Sequence, residues 1–353
     1  MKYSRLQFLF FTLLLSLFFA EDKNFCQENS FYLEGVASSE HRWTGVAVSE
    51  EGRMFVNFPR WGTIPLSVAE VVNNELIPYP NNEWNTWSAS TTPEDHFVCV
   101  QSVYVDKNNY LWILDPASIR GSVVNGSAKL LKVDLQTDSI IKVLYFNDDV
   151  APLSSYLNDI RVDTELNYAY ITCSGMGAII VIDLNTGNSR RLLTDHHSTK
   201  AEDIPLTING QTINFVVHSD GLALTNDGTE LYYKALTGRA LYKISTSALR
   251  DESLSDNELE YEVVFVAETI PCDAIEFDPN GYLYFTSIED NSIYRMFPGT
   301  DLSLVVTDDR LKWPDSFSIT QTGDIYVTTS RIYFPQGEHS VFKIERTSAD
   351  TEQ

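Results

Sequence analysis

Six polar residues recur at the start of a repeated strand pattern: Thr44, Gln101, Asn158, Asp220, Asp273 and Asp315. Three are carboxylates, two carry amides and one a hydroxyl. Carboxylates gathered in a confined site cannot all stay ionised without compensation. Either some take up protons or a cation joins them. Oxygen-only ligands suit a hard cation such as Ca²⁺, or an organic ammonium. Asn158-Asp159 and Asp220-Gly221 are also good turn formers. Turn preference alone does not select a polar residue at every one of the six starts.

The pattern that carries these residues is a strand, a turn and an aromatic-rich second strand. It reads TGVAVSEEGRMFVNF (44–58), QSVYVDKNNYLWILD (101–115), NDIRVDTELNYAYIT (158–172), DGLALTNDGTELYYK (220–234), DAIEFDPNGYLYFTS (273–287) and DSFSITQTGDIYVTT (315–329). A third strand recurs too, as in LLKVDLQT (130–137), IIVIDLNT (179–186) and VFKIERTS (341–348). The starts are spaced by 57, 57, 62, 53 and 42 residues, each enough for one four-stranded blade. Fixed-period repetition of short strands predicts an all-β, six-bladed β-propeller. In such a ring the innermost strands line a central channel, so the six first residues meet at one mouth. Behind them the strands are expected to turn apolar as they enter the interior. The last repeat supplies three strands ending near Glu345. Phe31 to Ala37 is strand-like and is expected to complete that blade, closing the ring. No long stretch holds a 3.6-residue apolar period. Ala201 to Leu206 and Asp251 to Glu260 read as polar loops.

The chain has 353 residues, and Lys2 and Arg5 precede an apolar run from Leu6 to Phe19 that ends at Ala20. That is the pattern of a secretory signal over 1–20, although Phe18 stands where a small residue is preferred. Residues 21–353 then form a single propeller domain, extracellular, or periplasmic in a Gram-negative host. After cleavage no membrane attachment is expected. The formal net charge is −24, and loss of the leader removes Lys2 and Arg5. So acidic a surface repels phosphate backbones and anionic bilayers, which argues against nucleic-acid binding and favours cationic small molecules or metal ions. Cys26, Cys99, Cys173 and Cys272 are widely spaced, which suits one disulfide or none. Asn125-Gly126-Ser127 is a glycosylation acceptor in a eukaryotic host.

Aromatic residues cluster near the expected mouth. Trp43 and Trp313 precede ring residues, and Trp61, Trp84, Trp87 and Tyr79-Pro80 lie between the first and second repeats. Aromatics around an acidic centre make a cage for an amine or a catechol ring; each could equally pack between blades. His218 lies two residues before Asp220, on the same side of an extended chain. It is the one histidine to weigh as an acid or base, against the alternative of a hydrogen-bonded loop residue. His196-His197 falls in a loop. Cys272 precedes Asp273, and a thiol beside carboxylates ionises poorly. Serine-elbow, zinc-helix and phosphate-loop motifs are absent.

Several segments resemble the major royal jelly protein / Yellow family of secreted six-bladed propellers. They are EGRMFVNFPRWGTIPLSVAEV, YLNDIRVD, AYITCSGMGAIIVIDLNTGNSRRLL, HSDGLALTNDGTELYYKALTGRALYKI, PCDAIEFDPNGYLYFTSIEDNSIYRM and LKWPDSFSITQTGDIYVTTS. The family is distantly similar to gluconolactonase / regucalcin propellers, which hold a divalent metal at this mouth. The resemblance implies a secreted propeller that binds a small aromatic or amine-bearing ligand, a biogenic amine or a catechol derivative, at the axial mouth. It leaves two alternatives: a dopachrome-converting isomerase and a metal-dependent lactonase. For the latter, Asn158, Asp220 and Asp273 match the metal ligands in kind, but Thr44-Gly45 stands where a first-blade Glu is expected. Cys173, Asp115-Pro116-Ala117 and Asn108-Asn109 also depart from the Yellow pattern.

Overall fold

The computed structural model describes residues 31–64 and 66–347. Six four-stranded antiparallel sheets follow one another along the chain, each running from an inner to an outer strand. The inner strands are Val46–Val48, Ser102–Val105, Leu157–Asp163, Ser219–Leu224, Cys272–Phe277 and Pro314–Ile319. The six-bladed propeller expected from the repeats is the fold. The expected leader and Cys26 lie outside the described residues.

The ring closes as the repeats imply. Phe31–Ser39 pairs antiparallel with His339–Arg346, from Phe31 opposite Arg346 to Ser39 opposite His339. It becomes the outer strand of the last blade, so one sheet joins the two ends of the chain. Apolar side chains then fill six seams between blades. Trp112 and Leu130 of blade 2 meet Ile160 and Ile180 of blade 3. Val341 and Ala37 of blade 6 meet Val46 and Val56 of blade 1, so the closing seam is packed like the others. Removing a large aliphatic side chain from such a seam costs about 2–5 kcal/mol, because the cavity left behind relaxes only partly.

One reading is corrected. Asp251 to Glu260 is not all loop, for Asp256–Tyr261 is a short helix. Ser255 accepts from the Glu258 amide while the Glu258 carboxylate accepts from the Ser255 amide. This reciprocal cap was present in the sequence as Ser-x-x-Glu, and Leu259 anchors the turn by burial. Ala201 to Pro205 is irregular as expected, and Leu206–Ile208 and Gln211–Ile213 after it form a small hairpin.

Candidate functional site at the axial mouth

The ring residues leave the regular ladder. In blades 3, 4, 5 and 6 the inner strand carries one extra residue against its neighbour, at Asn158-Asp159, Asp220-Gly221, Asp273-Ala274 and Asp315-Ser316. Such a bulge frees a backbone amide and re-aims a side chain. In blades 3, 5 and 6 the freed amide is met from the second strand. Asp159 N donates to Thr172 Oγ1 (3.2 Å), Ala274 N to Thr286 Oγ1 (2.9 Å) and Ser316 N to Thr328 Oγ1 (3.0 Å). The same hydroxyls donate onward to the next blade: Thr172 to Asp220 O (2.6 Å), Thr286 to Asp315 O (3.5 Å) and Thr328 to Thr44 O. Each hydroxyl thus satisfies a bulge and hooks two blades together. Neighbouring inner strands run so close here that a Cβ on Gly221 would lie 3.0 Å from Asp273 O.

Blade 1 solves the same problem with Asn57. Its side chain accepts from Gly45 N (3.0 Å) and donates to Thr44 Oγ1 (2.9 Å) and Val100 O (3.1 Å). Thr44 in turn donates to Gln101 O (3.1 Å). Its hydroxyl is therefore spent on the blade 1 to blade 2 hook and faces away from the cavity.

The other five ring residues line a cavity of about 490 Å³ at the mouth. Asn158 donates to Asp220 Oδ1. Trp313 Nε1 donates to Asp273 Oδ2 at 2.5 Å. Ser316 donates to Asp315 Oδ1 at 3.2 Å. Gln101 Oε1 accepts from the Tyr156 hydroxyl (2.6 Å), which accepts from Trp61 Nε1 (2.8 Å). Asp220 and Asp315 are almost fully buried. Burial, followed by repulsion from Asp273, raises both well above the ordinary carboxylate range. Burial also pushes Asp273 up to about 7, opposed by the Trp313 bond. Near neutral pH the cluster is therefore partly protonated.

Among the described residues Arg42 is the one cationic side chain on the cavity wall, and its Nε is held by Ser330 O at 2.8 Å. Aromatic and aliphatic groups make up much of the rest. Phe215, Trp313 and Tyr333 form a trio with centroids 5.5–6.0 Å apart. Phe215 comes from the connection after blade 3, which folds over the mouth. Trp313 sits at φ 54° and Tyr333 at φ 61°. Bulky residues seldom adopt this left-handed region, and such strain concentrates at ligand sites.

The sequence missed Tyr156, Arg42 and the Phe215 segment. Tyr156 and Arg42 carried a signal, since they lie two residues before ring positions and so face the same side of the strand. His218 has the same spacing from Asp220. That residue instead uses Nδ1 to accept from Ala201 N (3.0 Å) in a loop, away from the cavity wall. Trp61 and Trp313 reach the cavity. Trp43, Trp84 and Trp87 do not; they pack on Phe58, Phe97 and Arg60. His196 caps the short turn at His197–Thr199. The Cys272 thiol is pushed up to about 11 by burial, which leaves it a poor nucleophile. Cys99, Cys173 and Cys272 are not bonded to one another. The expectation that the strands turn apolar directly behind the ring fails at Asp159, a buried carboxylate 3.5 Å from Ser102 Oγ.

The site does not fit a divalent metal. Among the described residues no three acidic, histidine or cysteine side chains converge as ligands. Asn158 and Asp220 are bonded to each other, and Thr44 is turned away.

A family model described as major royal jelly protein matches residues 98–344. Major royal jelly protein 6 of Apis mellifera is 24% identical over 258 residues, covering 68% of this chain and 57% of that protein. Major royal jelly protein 5 of the same bee is 25% identical, covering 69% of this chain and 42% of its own length. The matches thus span about half the length of these relatives. Among solved structures, a gluconolactonase from Xanthomonas campestris superposes with a TM-score of 0.55 at 12% identity, covering 87% of each chain. A streptogramin B lyase superposes at 0.51 and 14%, covering 90% of this chain and 98% of its own. At these identities the structural likeness concerns the fold alone.

Proposed function

The chain belongs to the major royal jelly protein family, and from that premise we propose that it binds a small aromatic, amine-bearing cation at the axial mouth. The observation that carries this reading is the presence of Asp220, Asp273 and Asp315 on the wall of one aromatic-lined cavity, with Arg42 as the single cationic neighbour among the described residues. An ammonium group supplies the charge that the cluster lacks and lets its carboxylates ionise. An attached ring stacks among Trp61, Phe215, Trp313 and Tyr333, where cation–π attraction adds to burial. Gln101 and Asn158 orient hydroxyl or ring nitrogen groups. The net charge of −24 concentrates cations near the mouth. Calorimetry with serotonin and dopamine tests the reading. Binding is expected to weaken by about tenfold or more in Asp273→Ala, in keeping with loss of a buried charge partner. Equal affinity in that variant removes the site assignment.

A second reading is a tautomerase acting on dopachrome-like substrates. The buried, mutually repelling Asp220 and Asp273 favour it, because paired carboxyls titrate apart and leave one acid and one base. Loss of dopachrome colour faster than in buffer supports it; a rate equal to buffer rejects it. Metal-dependent lactone hydrolysis has only the likeness of fold in its favour. The family and the Lys2-to-Ala20 pattern together support secretion. Appearance of the chain in culture medium, cleaved after Ala20, tests it.

A further inference from the structure

The same six strands end at an opposite mouth, where a second cavity of about 420 Å³ opens. Three residues beyond the ring positions lie Ala47, Tyr104, Arg161, Ala223, Glu276 and Ser318. The three small ones leave room and the three large ones fill it. Arg161 is 5% exposed and lies over the Tyr104 ring, 5.4 Å from its centroid. Its Nε is 2.7 Å from Glu276 Oε2. That approach is off-axis, so the Nε–H lacks an aligned acceptor. Nη1 donates to Ile160 O (2.7 Å) and Nη2 to Ile275 O (3.1 Å). A guanidinium offers five N–H donors, so Arg161 keeps donors to spare on a wall of this cavity.

Three acids of the cavity wall are already engaged. Asp106 accepts from Asn108 N, Tyr110 N and Trp112 Nε1. Asp163 accepts from Glu165 N and Leu166 N. Asp227 accepts from Thr229 N and the Thr225 and Thr229 hydroxyls. At the inner end of the cavity Arg161 keeps unspent donors, and a buried donor is stabilised by gaining an acceptor. The outer opening is spanned from blade 2 to blade 4 by Lys107 Nζ donating to Asn226 O at 2.7 Å. This exposed contact can open at little cost.

We propose that this opposite cavity is a second ligand site, which takes a small organic monocarboxylate on Arg161 and Tyr104. A carboxylate accepts two parallel N–H bonds from one guanidinium, which an amide or alcohol does not match. Apolar walls from Val162, Leu224, Phe277 and Phe317 suit a short hydrocarbon or aromatic body. Glu276 competes for the same guanidinium. The charged and titratable groups facing the pair are Asp159 and Tyr104, with Asp106 behind Tyr104.

Calorimetry on the full chain with sodium benzoate, and with neutral benzamide as the control, tests the proposal. Benzoate is expected to bind at least about tenfold more tightly than benzamide, as befits charge-assisted pairing. Arg161→Gln should abolish the preference. Should that variant fail to fold, Glu276→Gln decides, since it removes the competing charge and should tighten benzoate binding at pH 8. Tyr104→Phe should weaken it several-fold. Equal binding of benzoate and benzamide overturns the proposal, as does benzoate affinity unchanged in both Glu276→Gln and Tyr104→Phe.

Discussion

The two mouths of the channel are built from opposite ends of the same six strands, yet they leave opposite chemistry unspent. At the ring end the bulges turn carboxylates inward, and hydroxyls from the second strands satisfy the backbone. Acceptors are left over, so that mouth suits a cation. At the other end the hairpin turns consume the carboxylates of Asp106, Asp163 and Asp227 as caps for their own amides. Donors on Arg161 and Tyr104 are left over. The lesson is that counting charges around a cavity misleads. Both mouths are rich in acids, and what distinguishes them is which acids the backbone has already taken.

The largest expected effect removes the comparison altogether. Blade 6 contributes Asp315 to one mouth and Phe317 to the other, and its outer strand is Phe31–Ser39. Deleting 31–39 strips the last sheet of its outer strand and exposes the seam around Val341. The melting temperature should fall by more than about 5 °C, with binding lost at both ends together. An unchanged melt would mean that the closing strand holds nothing. Next in size is Asp273→Asn, which should weaken amine binding by about tenfold or more. It should change benzoate binding at the opposite end by no more than about twofold, because the two sites meet only through the buried charge of Asp159. A parallel loss of both would show that the mouths are one coupled site.

pH should separate the two ends more finely. Asp273 and Glu276 are each pushed up to about 7 by burial. As pH rises from 6 to 8, Asp273 ionises and amine affinity should climb several-fold, because the amine stays protonated there. Over the same interval Glu276 ionises, reclaims Arg161, and benzoate affinity should drop. Slopes of equal sign would break the contrast. The same shifts bear on stability in the ligand-free protein. Both groups hold protons in the fold at pH values where the unfolded chain has released them. Their contribution is therefore complete below about pH 4 and is lost as pH rises through 7. The double variant Asp273→Asn/Glu276→Gln should flatten that decline in melting temperature.

Much of this architecture was readable in the repeats because a propeller restates its geometry with every blade. The six starts and the closing strand needed only alignment. The ring set was readable for the same reason, with Thr44 as the exception. Nothing at Thr44 itself distinguishes it; the cause is Asn57, which stands where three other blades place a threonine and which takes up the Thr44 hydroxyl. The Phe215 segment was not readable, since it lies in a connection outside the repeat and its position depends on tertiary folding over the mouth. Asp159, Arg161 and Glu276 could have been found by extending the alignment three positions past the ring. A charged residue inside a strand that packs on both faces calls for a partner in another repeat, and the alignment supplies one.

The smallest expected effect concerns how the acidic mouth is held in shape. Trp61 is about two-fifths exposed and donates through Nε1 to the Tyr156 hydroxyl, which donates to Gln101. The relay crosses from blade 1 through blade 3 to blade 2 and fixes the Gln101 amide at the cavity wall. Trp61→Phe keeps an aromatic face for a ligand ring and deletes only the indole donor. A neutral hydrogen bond at a partly exposed position contributes about 1 kcal/mol, so amine affinity should fall by about threefold to fivefold at unchanged melting temperature. Trp61→Ala removes the face as well and should cost more. If both variants lose affinity equally, Trp61 acts through its bond to Tyr156 alone. If only the alanine variant loses affinity, it acts as a wall of the cage. The benzoate site should register neither change, because no member of the relay reaches that end of the channel.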